Sequence, residues 1–370
     1  MEEALLRDSA IAVKSTQPED SRSSGPRAIL SGMAPSDSEA PMLGSVDRRG
    51  TASVKWDLMG ARLKDGQLVM PESVIPDDML PMWVADMDAP VPDVVTAAIA
   101  ERLQHPVFGY GYVPESLYDA HISWWHRVHG LSLRREWMRW SEGTMSAIRL
   151  IVRTVTEPGE AVVVPAPVYG PFYHAVTSRN RVLRRVALRE PGLGEEGTWK
   201  LDLAQLDHAM AGARVLLLCQ PHNPIGRVWS ESEVSALLDL AEKHDVLVVS
   251  DEIHGDLVLG EQPFPSLARW FGGNARIVVV QSPNKTFNIP SLSTAMICTP
   301  DSELLVELGR ERGKDGPELP NPLSLAGAEA ALRGAEAWLR RIRSEVAEHH
   351  ALVRAMLSET GVGVATAEST

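Results

Sequence analysis

The chain of 370 residues is 44% hydrophobic and 23% charged, which is typical of a soluble globular protein with about two domains. Its formal net charge of −13 argues against nucleic acid or an anionic membrane surface as the main partner. No run of about 18 apolar residues occurs, so no membrane-spanning helix is predicted. The two cysteines, Cys219 and Cys298, lie in separate apolar segments without metal-binding spacing, which favours a reducing, cytoplasmic setting and no metal site.

Residues 1–43 differ in composition from the rest of the chain. They are rich in serine, proline and acidic residues, and they show no sustained helical or strand periodicity. Leu5 and Leu6 are followed at once by Arg7 and Asp8, so no signal-peptide core is recognisable. We predict that residues 1–43 form a disordered extension.

Four short runs of branched apolar residues in the middle of the chain predict buried β-strands. A strand that is covered on both faces reads as a continuous hydrophobic segment, which is typical of parallel sheets. The four runs are Ala161–Val164, Val215–Leu218, Val246–Val249 and Ile277–Val280.

Helical patterns separate and follow these strands. One helix is predicted to begin near Met145 and to end at Pro158-Gly159, and a second begins at a capping box formed by Ser230 and Glu233. The stretch from Ser324 to about Leu357 is rich in Ala, Leu, Arg and Glu and is also predicted to be helical, and residues 361–366 are expected to start a strand. Alternating strands and helices indicate a wound α/β sheet.

Polar residues follow each predicted strand, where ligands of open α/β sheets bind. Taken singly, each has an ordinary explanation, such as a turn, a loop cap, core packing or an exposed lysine. Their occurrence after four strands of one sheet favours a binding site. The residues are Tyr169 after the first strand, Asn223 after the second, Asp251 and His254 after the third, and Ser282 and Lys285 after the fourth.

Lys285 is the most informative of these residues. Of the seven lysines in the sequence, only this one follows a strand of the buried type. A partly desolvated lysine has a lowered pKa and can act as a nucleophile towards a carbonyl carbon. Lys285 is therefore a candidate to form a Schiff base.

The whole set matches the needs of pyridoxal 5′-phosphate. Its aldehyde requires an amine, which Lys285 can supply, and its ring nitrogen stays protonated beside a buried carboxylate such as Asp251. The ring oxygen, the ring face and the phosphate require further partners. The candidates are Asn223 and His254 for the oxygen, Tyr169 for the face, and Ser282 with the helix start Gly143-Thr144-Met145 for the phosphate.

The sequence resembles fold-type-I pyridoxal-phosphate enzymes of the class I/II aminotransferase superfamily, and more narrowly the cystathionine β-lyase-like carbon–sulfur lyase branch. The resemblance covers roughly residues 45–345. Its most specific segments are Lys285–Asn288, Ser250–His254 and Trp83–Asp88. The other segments are Asp47–Thr51, Lys55–Asp57, His105–Tyr110, Pro167–Phe172 and Pro221–Trp229.

The resemblance implies roles for individual residues. Lys285 matches the lysine that binds the cofactor and later acts as a base, and His254 stands where many relatives have a tyrosine. Tyr110 matches a tyrosine that reaches the phosphate of the neighbouring subunit, which implies a homodimer with shared active sites. Asp86 and Trp83 are expected near the amino-acid substrate. Asp251, Asn223 and Tyr169 match the residues that contact the ring nitrogen, the ring oxygen and the ring face.

The resemblance also implies the domain organisation. We expect an α/β fold with a pyridoxal-phosphate-transferase-like large domain, built on a mostly parallel wound sheet, over residues 91–320. Residues 44–90 would form an N-terminal arm with part of the small domain, and residues 321–370 an incomplete C-terminal α+β small domain. Relatives carry an arginine for the substrate carboxylate in that small domain, and no residue here matches it.

Three functions therefore remain open. The first is a carbon–sulfur β-lyase that converts cystathionine-type or cysteine-type amino acids to pyruvate, ammonia and a thiol. The second is an aminotransferase of the same superfamily, which shares every step up to removal of the α-proton. The third is a weakly active or inactive scaffold that retains the cofactor site.

Overall fold

The computed structural model describes residues 41–64, 67–70, 79–191, 198–260, 262–316 and 319–358, and then residues 360, 362, 364 and 366–369. The predicted N-terminal extension lies outside the described residues except for its last three positions. The chain divides into two compact units, one up to Pro90 and one from Val91 onward. No helix in the described part of the chain is both long and apolar enough to cross a membrane.

The first unit contains a short helix, α1 (Val54–Asp57), and two strands, β1 (Arg62–Lys64) and β2 (Gln67–Val69), that pair antiparallel. The Ser53 side chain caps α1 by accepting from the Trp56 N–H. Ahead of the unit's end, Asp88 accepts hydrogen bonds from Lys55 Nζ at 2.7 Å and from Trp56 Nε1 at 2.9 Å. These bonds hold the chain around Asp88 against α1.

Within the described part of the second unit, seven strands form one sheet. The strands are β3 (Met138–Ser141), β4 (Ala161–Ala166), β5 (Val182–Ala187), β6 (Ala213–Cys219), β7 (Leu247–Asp251), β8 (Ile277–Gln281) and β9 (Ala295–Cys298). Their order in the sheet is β3-β9-β8-β7-β6-β4-β5, and all neighbours are parallel except those of β9, which runs opposite to β8 and β3. The predicted α/β class with a mostly parallel sheet is confirmed.

Helices cover both faces of this sheet. They are α2 (Asp93–Leu103), α3 (Glu115–His129), α4 (Thr144–Val155), α5 (Pro171–Thr177), α6 (Leu203–Met210), α7 (Glu231–Lys243), α8 (Pro283–Thr286), α9 (Ser302–Gly313), α10 (Pro322–Gly334) and α11 (Glu336–Ser358). Alternate strand residues enter different apolar clusters: Val278 and Val280 pack with α4, α5 and α9, whereas Val279 packs with α3, α7 and α10. Burial on both faces is the reason that the strands are continuously apolar.

The predicted helices form, with small differences at their ends. The capping box of Ser230 and Glu233 is present at the start of α7. Helix α4 ends at Val155, three residues before the proline that the sequence suggested as its end. The helical C-terminal stretch is broken at the buried Ala335, which separates α10 from α11.

The strand expected over residues 361–366 is not observed at residues 362, 364 and 366, and the remaining residues of this stretch lie outside the described part of the chain. Pairing instead occurs further along, where Ser369 forms an isolated antiparallel bridge with Val258. A strand requires a pairing partner along its length. Ser369 pairs only with Val258, in the short segment after β7, so an isolated bridge forms here in place of a strand.

Candidate active site

The loops that follow β4, β6, β7 and β8 meet at one edge of the sheet, because these strands are parallel neighbours. In the sheet register Cys219 is opposite Asp251, and Asp251 is opposite Val280. Backbone hydrogen bonds continue past the strand ends, from Tyr169 N–H to the Asn223 carbonyl at 3.0 Å and from Gln220 N–H to the Asp251 carbonyl at 2.9 Å. The structure thus brings together the segments that carry Tyr169, Asn223, Asp251 and Lys285.

Asp251 is a buried carboxyl group at the end of the central strand β7, with only 5% of the residue exposed. Burial raises its pKa to about 7, although the N–H of Ile253 and the charge of Lys285 act in the opposite direction. A pKa this high means that the positive charge around Asp251 does not fully balance the negative charge of its ionised form. A cationic ring N–H beside it would supply that compensation, so the site fits pyridoxal phosphate.

Lys285 lies in α8, a single turn that directly follows β8. The Ser282 hydroxyl accepts from the Asn284 N–H at 3.2 Å and donates to the Thr294 carbonyl at 2.7 Å, so it caps this turn and ties it to the start of β9. Because its proton is engaged with Thr294, the geometry of Ser282 favours a role in holding α8. Its predicted contact with phosphate stays a prediction.

The phosphate site predicted from the sequence is the N-terminus of α4, and its contact with phosphate stays a prediction. The helix begins after Gly143, and among the described residues no side chain caps it, so the N–H groups of Thr144 and Met145 remain available to an anion. A side chain at Gly143 would lie 3.9 Å from the Cβ of Ser293, which places the exposed Ser293 beside this helix end. The sequence analysis did not single out Ser293, because a lone serine carries no distinguishing signal, and only its position beside this helix end makes it a further candidate for the phosphate site.

Tyr169 and Asn223 lie side by side in the loops after β4 and β6. The Tyr169 side chain is partly exposed, and its pKa is raised by burial and by the negative charge of Asp251. The backbone bond from Tyr169 to Asn223 and the pairing of β6 with β7 bring the Tyr169 loop to the sheet edge at which Asp251 lies. The position is suitable for a ring that stacks on a cofactor bound at Asp251.

His254 lies in the same loop region, three residues beyond Asp251. It is buried, and it precedes the 3₁₀ turn Gly255–Leu257. Its carbonyl accepts from the Leu257 N–H at 2.9 Å, which fixes the turn. The predicted contact of its imidazole with the cofactor oxygen stays a prediction.

The other three residues predicted for the site are not among the residues gathered at this sheet edge of the second unit. Tyr110 is 95% exposed, in an aromatic loop that also exposes Phe108 and Tyr112. Trp83 and Asp86 belong to the first unit, where Trp83 Nε1 donates to the Lys55 carbonyl at 3.1 Å and Asp86 pairs with Arg48 at 2.5 Å. The roles predicted for them rest on the resemblance.

The raised pKa of Asp251 predicts a pH dependence of stability in the cofactor-free protein. Its carboxyl group has a pKa near 3.8 in the unfolded chain and about 7 in the folded one. Protonation therefore favours the folded state, and this contribution is lost as the pH rises from about 4 to about 7. Replacing Asp251 by Asn removes this contribution. Between pH 4 and pH 7 the unfolding temperature of the variant should therefore fall by a few degrees less than that of the wild type. Parallel profiles for the two proteins would contradict the prediction.

Comparison with known proteins agrees with this geometry. Residues 81–370 match the family of class I and II aminotransferases. The chain is 36% identical to cystathionine beta-lyase PatB of Bacillus subtilis, over 84% of this chain and 78% of the relative. It is 32% identical to the protein MalY of Escherichia coli, over 80% of this chain and 73% of the relative.

A solved structure shows the same fold. It is the PLP-bound C–S lyase from Staphylococcus hominis in complex with L-cycloserine, 26% identical, with a TM-score of 0.78 over 86% of this chain and 79% of that one. The family expected from the residue motifs is confirmed. With its mostly parallel sheet, its lysine after β8 and its buried aspartate at the end of β7, the chain belongs to the class I and II aminotransferase family.

Proposed function

We propose that this chain is a pyridoxal-phosphate-dependent carbon–sulfur β-lyase acting on cystathionine-type amino acids. The observation that carries the proposal is the convergence of Lys285, the buried Asp251 and Tyr169 at one sheet edge. It is supported by the relative named cystathionine beta-lyase, at 36% identity, and by the fold shared with a PLP-bound C–S lyase. The products would be pyruvate, ammonia and a thiol.

Each residue at the sheet edge would bind a different part of the cofactor. Lys285 would bind its aldehyde carbon, Asp251 would hold the proton on its ring nitrogen, and Tyr169 would cover one ring face. Asn223 and His254 are suited to its ring oxygen, and the α4 N-terminus with Ser293 to its phosphate. When bound, pyridoxal phosphate takes up the electron pair left when the Cα–H bond of an amino acid breaks.

Lys285 is the group that moves protons in this proposal. Its Nζ is suited to take the proton from Cα once the substrate amine has replaced it on the cofactor. In a lyase, Lys285 would deliver that proton to the departing sulfur as the C–S bond at Cβ breaks. In an aminotransferase, the same amine would return the proton to the cofactor instead. The atom to which the Lys285 amine can deliver the proton therefore decides between the two reactions.

The decisive test is incubation of the purified protein with pyridoxal phosphate and L-cystathionine in the absence of any keto acid. The proposal predicts stoichiometric pyruvate, ammonia and thiol. The second candidate, an aminotransferase, is favoured by the family to which the chain belongs, and it predicts amino transfer only when a keto acid is present. Cofactor binding without either reaction would support the scaffold function and contradict the lyase.

A second copy of the chain is proposed to complete each site. Supporting this, the side chain of Tyr110 is almost fully exposed and therefore makes no extensive contact with its own second unit. Phe108 and Tyr112 expose further aromatic surface around it, which suits an interface between copies. In such a homodimer Tyr110 would donate its hydroxyl to the phosphate bound by the partner subunit.

Subunit mixing tests this shared site. Lys285→Ala and Tyr110→Ala subunits should each be poorly active alone, because every site then lacks one contribution. A mixed dimer regains one intact site, so an equimolar, fully exchanged mixture should recover about a quarter of wild-type turnover. Co-expressed tagged subunits and a turnover assay measure this. No recovery in a verified mixed dimer would contradict a Tyr110 contribution across the interface.

The cysteines support a cytoplasmic location, which we propose with the same function. Cys219 and Cys298 are both free and buried. Burial raises the pKa of each thiol well above its usual value, so neither is a reactive thiolate. Such residues suit a reducing compartment.

A further inference from the structure

A buried carboxylate that the proposed chemistry does not use accepts a hydrogen bond from Thr286, the residue next to Lys285. It belongs to Asp256, in the 3₁₀ turn that follows His254. Two donors reach it from α3: His129 Nε2 at 2.6 Å and Trp124 Nε1, which is 3.1 Å from Oδ2. A third, the hydroxyl of Thr286, donates to Oδ2 at 2.8 Å. Asp256 therefore joins α3, the loop after β7 and the turn α8.

Thr286 is the residue next to Lys285 in α8. It is fully buried, whereas Lys285 is only partly buried, so the two side chains lie in different environments on the same turn. The following residue, Phe287, packs edge-to-face on Trp124 with ring centroids 5.2 Å apart. Hydrogen bonding at Thr286 and ring packing at Phe287 together hold α8 against α3.

The 3₁₀ turn that carries Asp256 is also held in place by packing. A side chain on the neighbouring Gly255 would approach the Phe264 ring to 2.7 Å, so the turn and the ring are in close contact. The same ring packs against His129, with centroids 5.6 Å apart. Burial alone would raise the pKa of Asp256, but the hydrogen bonds and charge of His129, with Thr286 and Trp124, hold it below the usual value. An ionised carboxylate is the stronger acceptor for the Thr286 hydroxyl.

We propose that Asp256 is a positioning residue for Lys285, which acts through the Thr286 hydroxyl to fix α8 so that the lysine amine is presented beside Asp251. The same carboxylate orients the turn after His254, so one anchor sets two of the groups around the cofactor. This inference rests on the proposed role of Lys285.

The rate at which the cofactor-free protein forms its covalent bond with added pyridoxal phosphate tests this role. In that step the Lys285 amine condenses with the aldehyde carbon and one water is released. Absorbance gives the rate, and borohydride reduction followed by peptide mass analysis identifies the lysine. Thr286→Val keeps the shape of the side chain and removes the hydroxyl, and we expect about tenfold slower capture. Thr286→Ser restores the hydroxyl and should stay within about twofold of wild type.

Thr299→Val is the matched control. Thr299 is as deeply buried as Thr286, and its hydroxyl donates to the Ile277 carbonyl at 2.8 Å, at the opposite end of β8. This variant should lose comparable thermal stability and capture the cofactor within about twofold of the wild-type rate. A loss of stability alone would affect both valine variants, whereas positioning affects only the one at Thr286.

The outcomes separate this inference from the proposed function. Equal capture rates for the two valine variants, or equally slow capture by Thr286→Val and Thr286→Ser, would overturn the inference alone. Wild-type protein that forms no bond at Lys285 would overturn the proposed cofactor role and this inference with it. Should Thr286→Val fail to fold, Trp124→Phe removes a different donor to Asp256. About threefold slower capture by that variant is then expected, and an unchanged rate overturns the inference.

Discussion

Replacing Lys285 by alanine is expected to abolish covalent cofactor binding and to lower turnover about 10⁴-fold, because the variant loses both the attachment point and the base. The fold should persist, since Lys285 is only partly buried at the end of a single turn. Absorbance after addition of pyridoxal phosphate and pyruvate release from L-cystathionine measure the two effects.

Lys243→Ala is the control for this substitution. Lys243 is exposed on α7, where it pairs with Asp207 at 2.7 Å far from the strand ends that carry the site. Its loss should leave both measurements within about twofold of wild type, since exposed ion pairs contribute little. Turnover by the Lys285 variant at more than a tenth of the wild-type rate would show that another group removes the proton.

Replacing Asp251 by asparagine is expected to lower turnover about 10²-fold to 10³-fold, with a smaller loss of cofactor affinity. The amide is nearly isosteric, but it has no negative charge to keep the ring nitrogen protonated. Less of the electron density at Cα can then be withdrawn into the ring. Steady-state kinetics at saturating cofactor separate this effect on kcat from weaker cofactor binding.

The adjacent Glu252 offers a matched control for Asp251. It is equally buried, and its carboxyl group is surrounded by the Ser266 hydroxyl at 2.6 Å and the Leu267 N–H at 2.8 Å. Burial raises its pKa to about 8, so it is largely protonated at neutral pH and glutamine resembles it in charge and shape. Glu252→Gln should therefore keep turnover within about threefold of wild type. Equal losses in the two variants would contradict a specific role of Asp251.

The sheet was predictable where strands are covered on both faces. The apolar runs within β4, β6 and β8 are continuous because helices pack on each side of the sheet, and no polar residue interrupts the runs themselves. Strand β5 was missed because it lies at the sheet edge, where it carries the consecutive polar residues Arg184 and Arg185. Strands β3 and β9 are four residues each, too short to show a period.

The part of the site that could be predicted from the sequence consists of residues that directly follow recognisable strands. Asp251 and Lys285 each come directly after a recognisable strand, and parallel strands place such residues at one edge. The contact between Thr286 and Asp256, and that between Asp256 and His129, join residues 30 and 127 positions apart. Neither pair has any pattern in the chain, since each depends on how α3 and α8 pack.

Local patterns in the sequence determined the fold class, the family and the set of candidate cofactor residues, because strands, capping boxes and strand-end motifs are short-range features. Tertiary structure decided the electrostatics of Asp251, the anchoring of Lys285 through Thr286 and the exposure of Tyr110. Burial, pKa and hydrogen bonding depend on which distant elements surround a group, and a linear pattern does not carry that information.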